Sequence, residues 1–154
     1  MHSNLFESDY ADNNIDGRVI DIGGLKVAGL GGVFKGKVWH PDEKIRWERR
    51  EDLLNFLPAN AKKNGLPLHH EAAIWHEDYE ALSLQQADIL ITHEAPSCHK
   101  HGFHEIDLLA QSMGVSQIFH GHHHQYYTAT LANGISVCGT PISGLVDLSG
   151  ELIK

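Results

Sequence analysis

Short apolar runs separated by glycines and prolines set out a chain of alternating strands and helices. Residues 18–22 (Arg-Val-Ile-Asp-Ile) and 25–30 (Leu-Lys-Val-Ala-Gly-Leu) predict two strands joined at Gly23-Gly24 by a tight turn. Residues 87–92 and 115–119 are continuous apolar runs of the kind buried on both faces of a parallel sheet. Between them, residues 103–113 predict a helix, so that strand, loop, helix and strand follow as in a βαβ unit. Helices are also predicted over 41–56, opened by Pro41 and stopped before Pro58, and over 71–85, where Trp75, Tyr79 and Leu82 recur at helical spacing. A short helix is read over 5–11 and a polar linker over 59–67. Beyond residue 125 the pattern changes. Residues 126–131, 135–138 and 145–148 are short strands, and Asn133-Gly134 is a hairpin turn, which predicts antiparallel hairpins after the parallel strands.

At 154 residues the chain is sized for a single domain, with a core but without room for two large ones. A formal charge of -8 argues against general nucleic-acid binding, which needs clustered Lys and Arg. Lys44, Arg46, Arg49 and Arg50 read as a solvated helix face. The first residues show no signal peptide and no apolar run reaches membrane-spanning length. Cys98 and Cys138 form no C-x-x-C pair and read as two buried thiols, consistent with a cytoplasmic location. The glycines over 29–36 match neither a P-loop nor G-x-G-x-x-G, and read as a loop leading off a strand.

The chemistry concentrates in histidine, of which there are 13. Each of the two apolar runs ends in it: Thr92-His93-Glu94-Ala95-Pro96 follows the first, and His120-Gly121-His122-His123-His124 the second. Ligands of open α/β sheets bind at the carboxyl ends of the strands. Were these two strands neighbours, His93, His122 and His124 would converge, and three histidines with an open position suit a catalytic metal. An extended backbone past Gly121 would put His122 and His124 on one side and His123 on the other. His120 reads as a residue that orients a ligand, and Glu94 either as an acceptor behind the ligands or as a solvated acid. His40, His69, His70 and His76 read as surface residues, and His99, His101 and His104 as part of a polar loop.

A single histidine after one buried strand and Gly-His-x-His after the next resemble the C-terminal half of the calcineurin-like metallophosphoesterase superfamily. Residues 22–33 resemble, more loosely, the strand and glycine loop of its middle section, and the resemblance spans about residues 18–148. It implies part of a two-sheet α/β sandwich and a hydrolase acting on a phosphate ester through metal-activated hydroxide. It also implies divalent metal ions (Mn, Fe, Zn, Ni or Mg), two in the family, with His93 and His122 on one and His124 on the other. The family's Asp-x-His, Gly-Asp-x-x-Asp and Gly-Asn-His motifs do not occur in this sequence. The expectations are therefore one metal rather than two, an exposed sheet edge open to self-association or a partner chain, and a chain that alone is inactive. Two alternatives stay open: a non-catalytic metal-binding or interaction module completed by another chain, and a hydrolase with a single histidine-bound metal. The histidine triad of nucleotide hydrolases fits less well, because Gly121, His123 and Gln125 stand where it wants apolar residues and His93 is left unexplained, and the His-x-His-x-Asp-His pattern lacks its Asp here.

Overall fold

The computed structural model of the protein describes residues 9–63 and 65–154. The part of the 5–11 helix that falls on residues 5–8 lies outside them. Tyr10 is in a turn, and a single 3-10 turn follows at Ala11–Asn13.

Six strands form one mixed sheet: β1 (Arg18–Ile22), β2 (Leu25–Leu30), β3 (Ile89–Thr92), β4 (Gln117–His120), β5 (Tyr127–Thr130) and β6 (Ser136–Gly139). Their order across the sheet is β1-β2-β3-β4-β6-β5. The centre, β2-β3-β4-β6, is parallel, and β1 and β5 close the two edges antiparallel. The class is α/β. The expected hairpin of β5 and β6 is present, but β6 also continues the parallel sheet beside β4, with Phe119 level with Cys138. Residues 145–148 form no strand of the sheet. They fold back on 151–154 as a ribbon, with Val146 opposite Leu152.

The helices are α1 (Arg50–Phe56), α2 (Ala59–Lys62), α3 (Leu68–Glu71), α4 (His76–Ser83) and α5 (His104–Ser112). Two expected helices are shorter than their periodicity suggested, and hydrogen bonds explain both. The amides of Arg46 and Trp47 both donate to the Val38 carbonyl, so 41–49 is a loop that packs Ile45 and Trp47 on the core at a spacing of two. Helix α1 starts only at Arg50. Its guanidinium is half-buried, bonds Glu77 at 2.8 Å and both oxygens of Asp78, and lies 5.1 Å from the centre of the Trp75 ring, so it is no solvated residue. The 71–85 stretch breaks because the Val33 amide donates to Ala72 and the Ile74 amide to Val33, which draws 72–74 out as a bridge beside the glycine loop. Trp75 is then fully buried ahead of α4. The 59–67 linker holds the single turn of α2.

Ala28, Leu30, Leu90, Ile118 and Val137 point to one face of the sheet, where α1, α4 and α5 bury them with Leu53, Leu82, Ile106 and Leu109. On the other face Val27, Ile89, Phe119 and Cys138 meet Ile15, Ile20 and Val146, without a helix. Of the two free thiols only Cys138 is buried, and Cys98 is exposed, which corrects the expectation of two buried thiols. Among the described residues no helix is long and apolar enough to cross a membrane.

Candidate functional site

β3 and β4 are neighbours, and both end on the same side of the sheet, so the two histidine motifs emerge side by side. His93 follows β3 directly, its amide donating to the Leu30 carbonyl. After β4 the backbone is not extended. His122 (φ 63°) and His124 (φ 53°) are both in the left-handed region, which corrects the expectation of alternating side chains. Such a conformation is uncommon for a residue with a Cβ, and it clusters where a site imposes it. Here it turns His122 back over His93. Nδ1 of His122 lies 2.6 Å from Nε2 of His93, with the rings nearly perpendicular.

Partial burial, with His122 and His124 adding like charge, holds the His93 imidazole below its ordinary pKa and therefore neutral near pH 7. His124 bears on His93 through charge. Among the described residues no group of three His, Cys, Asp or Glu side chains is placed to hold a metal ion. The structure thus brings two of the three expected ligands together. His93 Nε2 and His122 Nδ1 share one hydrogen bond between two strand ends, and giving up its proton to a divalent cation would turn the two nitrogens into a partial donor set.

His120 is buried at the end of β4 and is fixed in one tautomer. Its Nδ1–H donates to the Gly121 carbonyl at 3.0 Å, which leaves Nε2 to accept the Tyr127 hydroxyl at 2.6 Å. Burial lowers its pKa and raises that of Tyr127. His120 therefore holds the carbonyl at the start of the bend and does not touch His93 or His122. Glu94 is buried, not solvated. Oε1 accepts the Phe34 amide at 3.2 Å, tying the glycine-rich loop to the site. Burial raises its pKa, opposed by the charge of His122, by the Phe34 bond and by His40.

The loop after His93 contributes residues that sequence alone left on the surface. Its ends are pinned by the Phe103 amide on the Ala95 carbonyl and by Ser97, whose amide and hydroxyl both donate to the Asp107 carboxylate. Gly102 is needed at the closure, since a Cβ there would lie 1.8 Å from the Pro96 oxygen. Held this way, His99 stacks on His123 at 3.9 Å between ring centres and on Tyr127 at 5.9 Å, and His101 approaches His123 at 5.8 Å. Burial first, then the neighbouring imidazoles, bring His123 down to a pKa of about 4. His123 in turn meets the His122 ring edge-on at 4.8 Å. The spacing of His99, Lys100 and His101 gave no sign of this. Only the contact of a stacked pair across two loops reveals it. His40 packs edge-on against Phe103, and His76 against Trp39, so neither is a plain surface residue. Beside the stack, Cys98, His99, Lys100, Gln125, Tyr126 and Tyr127 line an open cavity of about 640 Å³.

No known family model matches the chain. An "Uncharacterized protein" from Haemophilus influenzae (strain ATCC 51907 / DSM 11121 / KW20 / Rd) is 37% identical over 150 residues, which cover 97% of this chain. The chain spans 66% of that relative's length.

Proposed function

We propose that this chain carries the histidine part of a metal-dependent phosphoester hydrolase site of the calcineurin-like kind, with His93 and His122 as ligands of one divalent cation and His124 as the third. The observation that carries the reading is the 2.6 Å approach of His93 Nε2 and His122 Nδ1 at the ends of adjacent parallel strands. A cation bound there would acidify water and polarise a phosphoryl oxygen, whether Mn, Fe, Zn, Ni or Mg. The chain's own groups have distinct tasks. His93 stays neutral and so offers a lone pair rather than a repelling charge. His120, with its tautomer set, steadies the bend that aims His122. Lys100, on the cavity next to the histidine stack, supplies the cationic group for a phosphate ester. The two free cysteines go with a reducing compartment, and we place the protein in the cytoplasm on that basis.

The test is metal content after loading with manganese and dialysis, beside hydrolysis of an aryl phosphate. The expected result is one cation per chain, lost in His93→Ala, His122→Ala and His124→Ala. Unchanged metal in His122→Ala and His124→Ala sinks the proposal. A second reading, a metal-binding or interaction module without catalysis, is favoured by the two-donor convergence, since among the described residues no three His, Cys, Asp or Glu side chains are placed to hold a metal ion. Phosphatase turnover by the pure chain, abolished by chelator, rejects that reading.

A further inference from the structure

The side of the sheet away from the helices is unevenly covered. β3 is an inner strand, parallel to both neighbours, and strands in that position are ordinarily buried on both faces. Yet Ile91, in the middle of the sheet between Gly29 and Phe119, is 42% exposed. Ile22 and Leu25 on β1 and β2 share that face and are exposed as well. The ribbon that lies over this face turns its own aliphatic residues outward. Val146 packs inward, while Leu145, Leu148, Leu152 and Ile153 are all exposed within ten residues. On the helix face every strand residue of the parallel core except Lys26, near the start of β2, is buried, and the exposed Phe56, Leu84 and Leu108 are scattered singly over helices and turns. A concentration of aliphatic residues on one side marks a surface made for another polypeptide.

The relative indicates which one. It matches this chain almost end to end, and about a third of its own length is unmatched. We propose that the Ile91 and ribbon side of the sheet is a docking face for a polypeptide segment equivalent to that unmatched third, which lays an apolar layer on it. The partner is apolar where it meets Ile91, Leu145 and Ile153. It reaches the sheet through a face, not through the β1 or β5 edge.

The test is thiol labelling. Ile91→Cys is made in a Cys98→Ser background, so that Cys138, which is buried, is the remaining native thiol. Its reaction with an aromatic disulfide is timed in this chain alone, in this chain co-expressed with the unmatched third of the relative, and in the whole relative with cysteine at the aligned position. The expected result is fast labelling in the chain alone and labelling slowed at least about tenfold in the other two, as a desolvated interface centre requires. Leu84→Cys, on the opposite side, should label equally in all three. The whole relative keeps the test decisive if the segment fails to fold when co-expressed. Equal rates for Ile91→Cys in the chain and in the whole relative overturn the proposal. So does slow labelling in the chain alone that dilution relieves, which assigns the face to a second copy. Slow labelling relieved by removing residues 1–8 would assign it to the chain's own start and overturn the proposal too.

Discussion

Leu90 and Ile91 are consecutive residues of one strand with opposite surroundings. Leu90 is wholly buried under the helices, while Ile91 faces the ribbon side and is 42% exposed. The difference lies in what each face has to cover it. Helices α1, α4 and α5, with the 33–47 loop, bring Leu53, Leu82, Ile106, Leu109, Phe34 and Val38 to the first face. Two irregular segments, 9–17 and 145–154, bring Ile15 and Val146 to the second. An apolar strand therefore states what both of its faces require. Whether each requirement is met depends on elements elsewhere in the chain.

The largest expected effect follows from the well-covered face. Leu90→Ala or Ile118→Ala should cost about 2–5 kcal/mol, because the closed packing around each leaves a cavity that collapses only in part. The midpoint and slope of urea unfolding measure this. A loss under about 1 kcal/mol in both would break the comparison, since the helix face would then be no better packed than the ribbon face.

Next comes the loop that joins the helix face to the histidines. Gly102→Ala should cost about 1–3 kcal/mol, because the added methyl meets a backbone oxygen that cannot swing away. The displacement should reach His99 and loosen its stack on His123, read as shifts of both imidazole resonances by NMR. Wild-type stability with unmoved resonances would mean the loop tolerates another closure.

Acid should separate the two regions further. His123 titrates near 4 in the fold and near 6.5 when unfolded, so the unfolded chain binds the extra proton between those values. The stability that goes with its neutral form is complete above about pH 6.5 and is lost as pH falls towards 4. His70, His93, His99 and His120 are lowered as well and act in the same direction. On the ribbon, bonds from Ser149 and Glu151 hold the Asp147 carboxyl below the ordinary aspartate range, so its contribution is lost only in stronger acid, below the range in which an unfolded aspartate titrates. Urea midpoints taken from pH 7 to pH 4 should fall, and the fall should be smaller in His123→Phe. An equal fall in that variant removes His123 from the account.

Much of the parallel core was legible. The β1–β2 hairpin, β3, α5 and β4 stand within two residues of where apolar runs and glycines put them, because each is fixed by local pattern. The long helices were not, since the amides of Arg46 and Trp47 turn back to the Val38 carbonyl against the helical pattern, and that of Ile74 bonds to Val33, far outside any window of sequence. At the site, the adjacency of His93 and His122 was readable from two strands ending in the same residue type. Their geometry was not. It depends on left-handed φ values at His122 and His124, a conformation uncommon enough outside glycine that no local pattern announces it. The role of His99 needed a loop whose closure rests on Gly102 and on the Ser97–Asp107 bonds, about ten residues apart in sequence.

The smallest expected effect is the most informative. Ile91→Ala in the isolated chain should cost about 1 kcal/mol or less, since water already reaches much of the side chain and only its buried part is transferred. Its neighbour Leu90, with the same number of carbons, should cost several times more. The ratio removes most differences of strand position and solvent, because both residues belong to β3 and flank the same peptide bond. In a protein where the ribbon face is covered, the cost of Ile91→Ala should climb towards that of Leu90→Ala, as the side chain loses its water and gains neighbours. A ratio near one in the isolated chain would mean that Ile91 is already buried, and the two faces would no longer differ. A ratio that stays large in the full-length relative would leave the outward turn of Leu145 and Ile153 unexplained by any covering layer.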